Sequence, residues 1–336
     1  MEKELAFKTP SIVTYVYEGY MLGIMQANGD KYKEWMLSNY IQLNCHDNFV
    51  KEGELFLAFY DDIAIKSPFL KTEKISWAKT RKMGIDIIDY FKKCIDLECY
   101  IYLKVDQFYI PRRPSYKKKF YLHDEMIVGY DDTSFILMGY DDKGEISKQK
   151  VLYAQLMDAL NSNNTKMDEV AWEDDIYILK YVNSDYNLNP TLIKNTIRNY
   201  LNGEEPAEYN KRFSNSLKNT VYGVNVYDRV IDYLKLLQES GNLFEDSIID
   251  NRTFRLIKEH KEVMLERIEM LNRRYGNLDD LLAKYKNTVK LAQLGHFLAL
   301  KYKIKSEKKE LVKLMDIIRQ IKEDDIKLLS ELCISI

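Results

Sequence analysis

The chain has 336 residues, of which 46% are hydrophobic and 30% are charged, and its formal net charge is −2. This composition predicts a globular protein that can bury one large core or two smaller ones. The near-neutral charge excludes the overall basic excess that is typical of nucleic-acid-binding proteins, and no run approaches the roughly 20 apolar residues of a membrane span.

The N-terminal residues and the cysteines indicate the compartment. Residues 1–10, MEKELAFKTP, lack the basic-then-apolar pattern of a signal peptide, so we expect a cytoplasmic protein. Cys45, Cys94, Cys99 and Cys333 show no CxxC spacing, which favours reduced thiols over a disulfide framework or a zinc cluster. We expect no bound metal, although one of these thiols could be a nucleophile.

The first half of the chain mixes helical and strand patterns. The spacing of apolar residues predicts an almost wholly apolar helix over 12–26, a short helix over 31–38 and a longer helix over 79–94. Alternating patterns and turn residues predict the remaining elements, which are strands at 40–44, 55–60, 100–109, 120–130, 134–140 and 176–181 and a helix at 151–161. This order is typical of an α+β domain with an antiparallel sheet.

The pattern changes beyond about residue 187, where apolar residues recur only at helical spacing. The predicted helices of this part are 191–202, 221–239, 252–275, 278–305 and 308–332, and no strand is predicted among them. We therefore expect two domains, 1–186 and 187–336, of which the second is mostly helical. The long amphipathic helices of the second domain make a homodimer reasonable.

The stretch from Tyr100 to Gly144 places one histidine in a setting that favours chemistry. His123 lies near the start of the strand predicted at 120–130, and Asp141 follows the next strand at the same end of the sheet. A carboxylate that accepts one imidazole N–H fixes the tautomer of a general base. A register slip of one residue would substitute Asp142 for Asp141. The alternative is that His123 merely ends a strand.

Gln107 lies on the preceding strand, predicted over 100–109. Its side-chain amide could donate a hydrogen bond to an oxyanion, or it could simply face water.

A basic loop precedes His123. It holds five cations within eight residues, namely Arg112, Arg113, Lys117, Lys118 and Lys119. Such a run is either a solvated face or a rim that attracts an acidic partner with a salt-dependent affinity. Nucleic acid is a weaker candidate partner, because the chain is acidic overall and the loop has a single interleaved aromatic residue.

Several motifs of this region resemble those of a known family. The runs VDQFYIP, HDEMIVGYDD, FILMGYDDKG and VLYAQLMDAL are similar to the papain-type cysteine-peptidase fold of the C39-like group. More narrowly, they resemble proteins related to the N-terminal domain of butirosin biosynthesis protein H, found in natural-product gene clusters. The later runs YGVNVYDRVIDYL and DNRTFRLIKEHKEVMLERIEML look like the helical part of such proteins. The resemblance implies a papain-like antiparallel sheet with a buried N-terminal helix, followed by a mostly helical part.

The resemblance also implies an activity, that of an acyltransferase or amide synthetase, with closthioamide-type enzymes as plausible relatives. In such an enzyme a cysteine takes the acyl group from the phosphopantetheine arm of an acyl or peptidyl carrier protein, and an amine then attacks to give an amide. The protein itself needs no cofactor. The family histidine corresponds to His123 and its acidic partner to Asp141.

The nucleophile is where this chain departs from the family. A cysteine is expected at the start of the first buried helix, but the run TYVYEGYMLGIM has none, and Val16 or Tyr17 stands in that place. The favoured interpretation is that Cys45, beside His46, serves instead, with His123 as general base and acid and Asp141 as its orienting group. The alternative is that the chain is a catalytically inactive relative that binds a carrier protein or product. Cys94 and Cys333 are less suited, and a peptidase proper is less favoured than acyl transfer.

Overall fold

A computed structural model describes residues 2–60, 64–162, 175–205, 219–240 and 249–336. The chain forms two compact units, the first from Met1–Tyr32 and Ala64–Tyr186 and the second from Lys33–Ile63 and Asn187–Ile336. The second unit thus contains a segment, 33–63, that precedes most of the first unit in the chain.

The described residues form ten strands and eleven α-helices, which confirms the expected α+β class. The strands are β1 (Lys3–Glu4), β2 (Leu43–His46), β3 (Ala58–Phe59), β4 (Leu70–Ser76), β5 (Cys99–Asp106), β6 (Leu122–Tyr130), β7 (Ser134–Tyr140), β8 (Ile146–Leu152), β9 (Asp175–Tyr181) and β10 (Thr220–Tyr222). The helices are α1 (Val16–Ala27), α2 (Tyr32–Asn39), α3 (Phe49–Glu52), α4 (Trp77–Lys82), α5 (Ile87–Asp96), α6 (Tyr153–Ser162), α7 (Pro190–Asn202), α8 (Val226–Ser240), α9 (Asn251–Tyr275), α10 (Asp279–Lys305) and α11 (Lys308–Ser335). None of these helices has both the length and the apolar character needed to cross a bilayer.

The first unit is built on an antiparallel sheet. Its strand order is β4-β9-β5-β6-β7-β8, and β1 pairs with the far end of β6. The central strands β6 and β7 are largely buried because apolar side chains occupy both of their faces. In this register Val105 lies opposite His123 and Met126 opposite Met138.

The two edge strands of this sheet, β4 and β8, are absent from the sequence-based prediction. Both carry several charged residues, with the sequences LKTEKIS and ISKQKVL. Exposed edge strands avoid long apolar patterns, because such patterns would pair with other chains. The signal used to find strands is therefore weakest at these two positions.

The single helix predicted over 79–94 is two helices in the structure. The chain breaks at Gly84, whose φ of +67° is a left-handed conformation that favours glycine. The Asp86 carboxylate then caps the start of α5 by accepting hydrogen bonds from the Ile88 and Asp89 amides at 3.0 and 3.1 Å. The left-handed turn at Gly84 and the cap at Asp86 together explain why the structure has two helices where the sequence predicts one.

The second unit combines its helices with a small sheet of order β10-β2-β3, which corrects the expectation that no strand follows residue 187. Buried side chains of α9 explain why residues 33–63 belong here. Arg267 donates to the carbonyls of Leu37 and Tyr40, each at 2.6 Å, and the His260 Nε2–H donates to the Ile41 carbonyl at 2.7 Å. These bonds satisfy carbonyls in the last turn of α2 and just after it, which would otherwise be buried without donors.

A carboxylate on α11 organises the interior of the second unit. Asp325 is fully buried and forms an ion pair with the equally buried Lys261. Its Oδ2 also accepts hydrogen bonds from the hydroxyls of Tyr200 and Tyr227, at 2.6 and 3.0 Å, and its Oδ1 accepts one from Tyr285 at 3.0 Å. Burial and the negative charge of Asp325 together raise the pKa of each tyrosine well above its ordinary value, so all three remain donors.

We expect the substitution Asp325→Asn to destabilise the protein by about 3–5 kcal/mol, because it leaves the Lys261 ammonium buried without its counter-charge. The free energy of unfolding from urea titration measures this effect. Asp316→Asn is the matched control on the same helix, since Asp316 pairs with Arg319 at an exposed position, and its effect should stay below about 1 kcal/mol. Equal effects of the two substitutions would contradict the assignment.

Candidate functional site

His123 lies near the start of β6 and is partly exposed. Its ring stacks on that of Tyr121, with centroids 5.4 Å apart and an interplanar angle of 21°. Its Nδ1 lies 3.4 Å from Nε2 of Gln107 and 3.3 Å from the carbonyl oxygen of Asp124. The described contacts therefore give the ring an amide neighbour rather than a carboxylate.

A buried ion pair lies beside this histidine. Glu125 is two residues after His123 and so projects from the same face of β6. Arg113 donates from Nε and Nη2 to the two Glu125 oxygens, both at 2.7 Å, and both side chains are fully enclosed. Burial acts against the charged guanidinium, but the adjacent Glu125 carboxylate outweighs it and raises the pKa of Arg113 above its ordinary value. The two parallel hydrogen bonds are the bidentate geometry of an arginine–carboxylate ion pair.

Gln107 connects the ion pair to the histidine. It is buried, and its Nε2 donates to Glu125 Oε1 at 2.9 Å while lying near His123 Nδ1. Asp106 fixes the backbone around it, because its carboxylate accepts hydrogen bonds from the amides of Phe108 and Tyr121, each at 3.0 Å. In this arrangement neither amide hydrogen of Gln107 is free for an external oxyanion.

Gly139 on β7 makes room for the ion pair. A Cβ atom at this position would lie 2.5 Å from Arg113 Nη2 and 2.5 Å from Glu125 Oε2. The absence of a side chain is therefore a steric requirement for the Arg113–Glu125 pair.

Asp141 lies just after β7, at the end of the sheet where His123 begins β6, but it is engaged elsewhere. Its carboxylate accepts hydrogen bonds from the Lys143 and Glu145 amides at 2.9 and 3.1 Å. Partial burial acts to raise its pKa, but these amides and the Ser147 hydroxyl outweigh burial and lower the pKa below its ordinary value. Among the described contacts neither Asp141 nor the exposed Asp142 forms a hydrogen bond to His123.

The Tyr20 hydroxyl of α1 lies where β6 and β7 stop pairing. The ladder ends at the pair Met126–Met138, and the hydroxyl donates to the Met138 carbonyl at 2.9 Å and lies 3.2 Å from the Asp124 carbonyl. The strands are thus bridged by a side chain near His123 rather than by their own backbone.

The cysteines of the first unit are not placed to act with His123. Cys99 begins β5 opposite Lys180, six residues from Val105, which faces His123; that separation is about 20 Å along a strand. Cys94 is buried on α5, and burial raises the pKa of its thiol to about 11. The start of α1, where the family cysteine is expected, is occupied by the buried Val16.

Cys45 lies on β2 in the second unit. Its side chain is fully buried, and burial raises the pKa of the thiol to about 12, although Arg229 acts in the opposite direction. His46 cannot compensate, because adjacent strand residues project to opposite faces and the His46 Nδ1 contacts the Glu54 carbonyl at 3.1 Å. This environment disfavours the thiolate that a nucleophile requires. A catalytic role for Cys45 stays a prediction. Cys333, near the chain end, is also buried.

The basic loop divides into exposed and buried cations. Arg112, Lys117, Lys118 and Lys119 are exposed, whereas Arg113 is enclosed with Glu125 and cannot form part of a docking rim while that pair exists. This placement corrects the expectation that all five cations line the same surface.

Neither a scan against models of known protein families nor a search of curated proteins finds a match for this chain. Within the described ranges, no group of three or more histidine, cysteine, aspartate and glutamate side chains is placed to hold a metal ion.

Glu125 and Gly139 are not among the site residues predicted from the sequence, and Arg113 is predicted there as a surface cation. A signal for Glu125 was present in HDEMIVG, where a charged residue stands at the edge of an apolar strand. Such a residue is buried only with a partner, and the strand pattern alone does not identify which cation supplies it.

We expect Gly139→Ala to lower the stability of the protein by about 1–3 kcal/mol, because the new methyl group would displace the Arg113–Glu125 pair. Thermal or urea unfolding measures the change. Gly295→Ala on α10 is a suitable control, since its Cβ would meet nothing closer than 3.4 Å and alanine favours a helix interior. Unchanged stability in Gly139→Ala would show that the pair moves freely.

We expect Cys45 in the native protein to be alkylated far more slowly at pH 8 than the half-exposed Cys99. A thiol with a pKa of about 12 is about one part in ten thousand thiolate at pH 8, and this fraction rises about tenfold per pH unit until the pKa is reached. Peptide mass spectrometry after timed iodoacetamide labelling gives both rates. Faster labelling of Cys45 would indicate an activated thiol.

Proposed function

We propose that the chain is a papain-like relative that binds an acylated carrier protein, or the product of an acyl transfer, without transferring the acyl group itself. The observation that carries this proposal is the state of the cysteines. Cys45 is fully buried with a thiol pKa of about 12, and the first unit has no cysteine on β6 or at the start of α1.

The exposed cations of the basic loop support a carrier protein as partner. Carrier proteins are acidic around their prosthetic arm as a class, and Arg112, Lys117, Lys118 and Lys119 precede the partly exposed His123 in the chain. Opposite charges on two surfaces speed their encounter and orient the complex. The acyl thioester would then reach the His123 region on its phosphopantetheine arm.

A second candidate function is acyl transfer through Cys45, with His123 as general base and acid and Asp141 as its orienting group. The observation that favours it is the Arg229 guanidinium, whose charge acts to lower the pKa of the Cys45 thiol. Transfer would require the thiol to become exposed and ionised when the carrier protein binds.

Intact-mass analysis distinguishes the two functions. The protein is mixed with an acetylated acyl carrier protein, and its mass is followed with and without an added amine. We expect no acetyl adduct, because no described thiol has a lowered pKa. An adduct that maps to Cys45 and disappears in Cys45→Ser would instead establish acyl transfer.

Charge reversal tests the partner. We expect the combined substitution of Lys117, Lys118 and Lys119 by glutamate to weaken binding of the acetylated carrier protein by about tenfold at low salt, because three attractive charges become repulsive. Fluorescence anisotropy of a labelled carrier measures the affinity, which should fall as salt rises in the wild type.

The combined substitution of Lys286, Lys290 and Lys303 by glutamate is the control for this experiment, since it reverses three exposed lysines on α10 in the second unit. Equal losses in the loop variant and in this control would show that net charge, rather than the loop, governs binding. No binding by the wild type would remove the carrier protein as partner.

A further inference from the structure

The orientation of the Gln107 amide is determined by the ion pair beside it. Glu125 receives two hydrogen bonds from Arg113 and is therefore a carboxylate that only accepts. The Gln107 atom that lies 2.9 Å from Glu125 Oε1 must then be the amide nitrogen, because two facing oxygens would repel. One of the two N–H groups of Gln107 is used in this bond.

The second N–H of Gln107 faces the His123 ring. Its nitrogen lies 3.4 Å from Nδ1, and such a contact is favourable only if Nδ1 carries a lone pair. The competing acceptor for an Nδ1 proton is the Asp124 carbonyl at 3.3 Å, which the Tyr20 hydroxyl already approaches at 3.2 Å. A proton on Nδ1 would also point at the N–H of Gln107, so that two hydrogen-bond donors would face each other without an acceptor.

We infer that Gln107 is a positioning residue that holds neutral His123 with its proton on Nε2, so that the ring offers a hydrogen-bond donor to an acyl carbonyl oxygen of the bound ligand. This inference rests on the proposed function for the identity of the ligand, but the tautomer is a property of the protein alone. His123 Nε2 has no hydrogen-bond partner among the described residues, so its N–H is available to a ligand.

This arrangement is the reverse of a catalytic triad. In a triad a carboxylate accepts the Nδ1 proton, and the lone pair on Nε2 takes a proton from the nucleophile. Here an amide donates to Nδ1, and Nε2 keeps its proton. A ring held in this way stabilises a carbonyl oxygen by donation and does not begin a transfer reaction as a base.

The tautomer is tested by long-range proton–nitrogen NMR of the protein labelled with 15N in its histidines, at alkaline pH where imidazole is neutral. We expect the Nδ1 signal of His123 to be that of an unprotonated nitrogen and the Nε2 signal that of a protonated one. His123→Phe provides the assignment. A proton on Nδ1 in the wild type would overturn the inference without any ligand being involved.

Gln107→Leu tests the cause, because leucine keeps the approximate size of glutamine but has no N–H to donate to Nδ1. His123 should then show a mixture of tautomers. A His123 spectrum that is identical in the wild type and in Gln107→Leu would show that Gln107 does not control the ring.

The ligand chemistry is tested with two small probes, the acetyl thioester of N-acetylcysteamine and the corresponding ethyl thioether, which keeps the acetamide but lacks the thioester carbonyl group. We expect the thioester to bind about fivefold more tightly, as one net hydrogen bond predicts, and to shift the Nε2 proton of His123. Equal binding of the two probes would overturn the acyl oxygen as the acceptor. Failure of the carrier protein to bind would overturn the proposed function while leaving the tautomer measurement intact.

Discussion

The bidentate ion pair between Arg113 and Glu125 is the interaction on which the His123 region depends. Two buried charges are tolerated only when each satisfies the other with good geometry, and here both bonds are 2.7 Å long. The pair fixes the amide of Gln107, and the amide in turn constrains the imidazole. The tautomer of the partly exposed His123 ring thus depends on two charged side chains, Arg113 and Glu125, that are fully buried.

The second unit also contains a buried ion pair, but among the described residues no exposed group is connected to it. Asp325 and Lys261 are paired at zero exposure, and tyrosine hydroxyls occupy the remaining lone pairs of the carboxylate. Nothing in this network approaches the surface, so its role is to specify how the helices pack. The difference between the two networks is that only the one in the first unit ends on a residue that solvent can reach.

Much of the fold could be predicted from apolar spacing, because central strands such as β7 and long helices such as α9 repeat a clear period. The edge strands could not be predicted, because their charged residues obscure the apolar pattern. The break at Gly84 could not be predicted either, because it depends on a single backbone angle. At the candidate site, the strand position of His123 was predictable. Its neighbours were not, because a pairing between Arg113 and Glu125 depends on how a loop folds over a sheet, which periodicity does not encode.

The missing side chain at Gly139 has a consequence for how substitutions at this site combine. An arginine in the loop, a glutamate on β6 and a glycine on β7 meet in one volume. A larger residue at Gly139 should therefore cost less in a variant that already lacks the Arg113–Glu125 pair than in the wild type. The effects of substitutions at these three positions are thus expected to be non-additive.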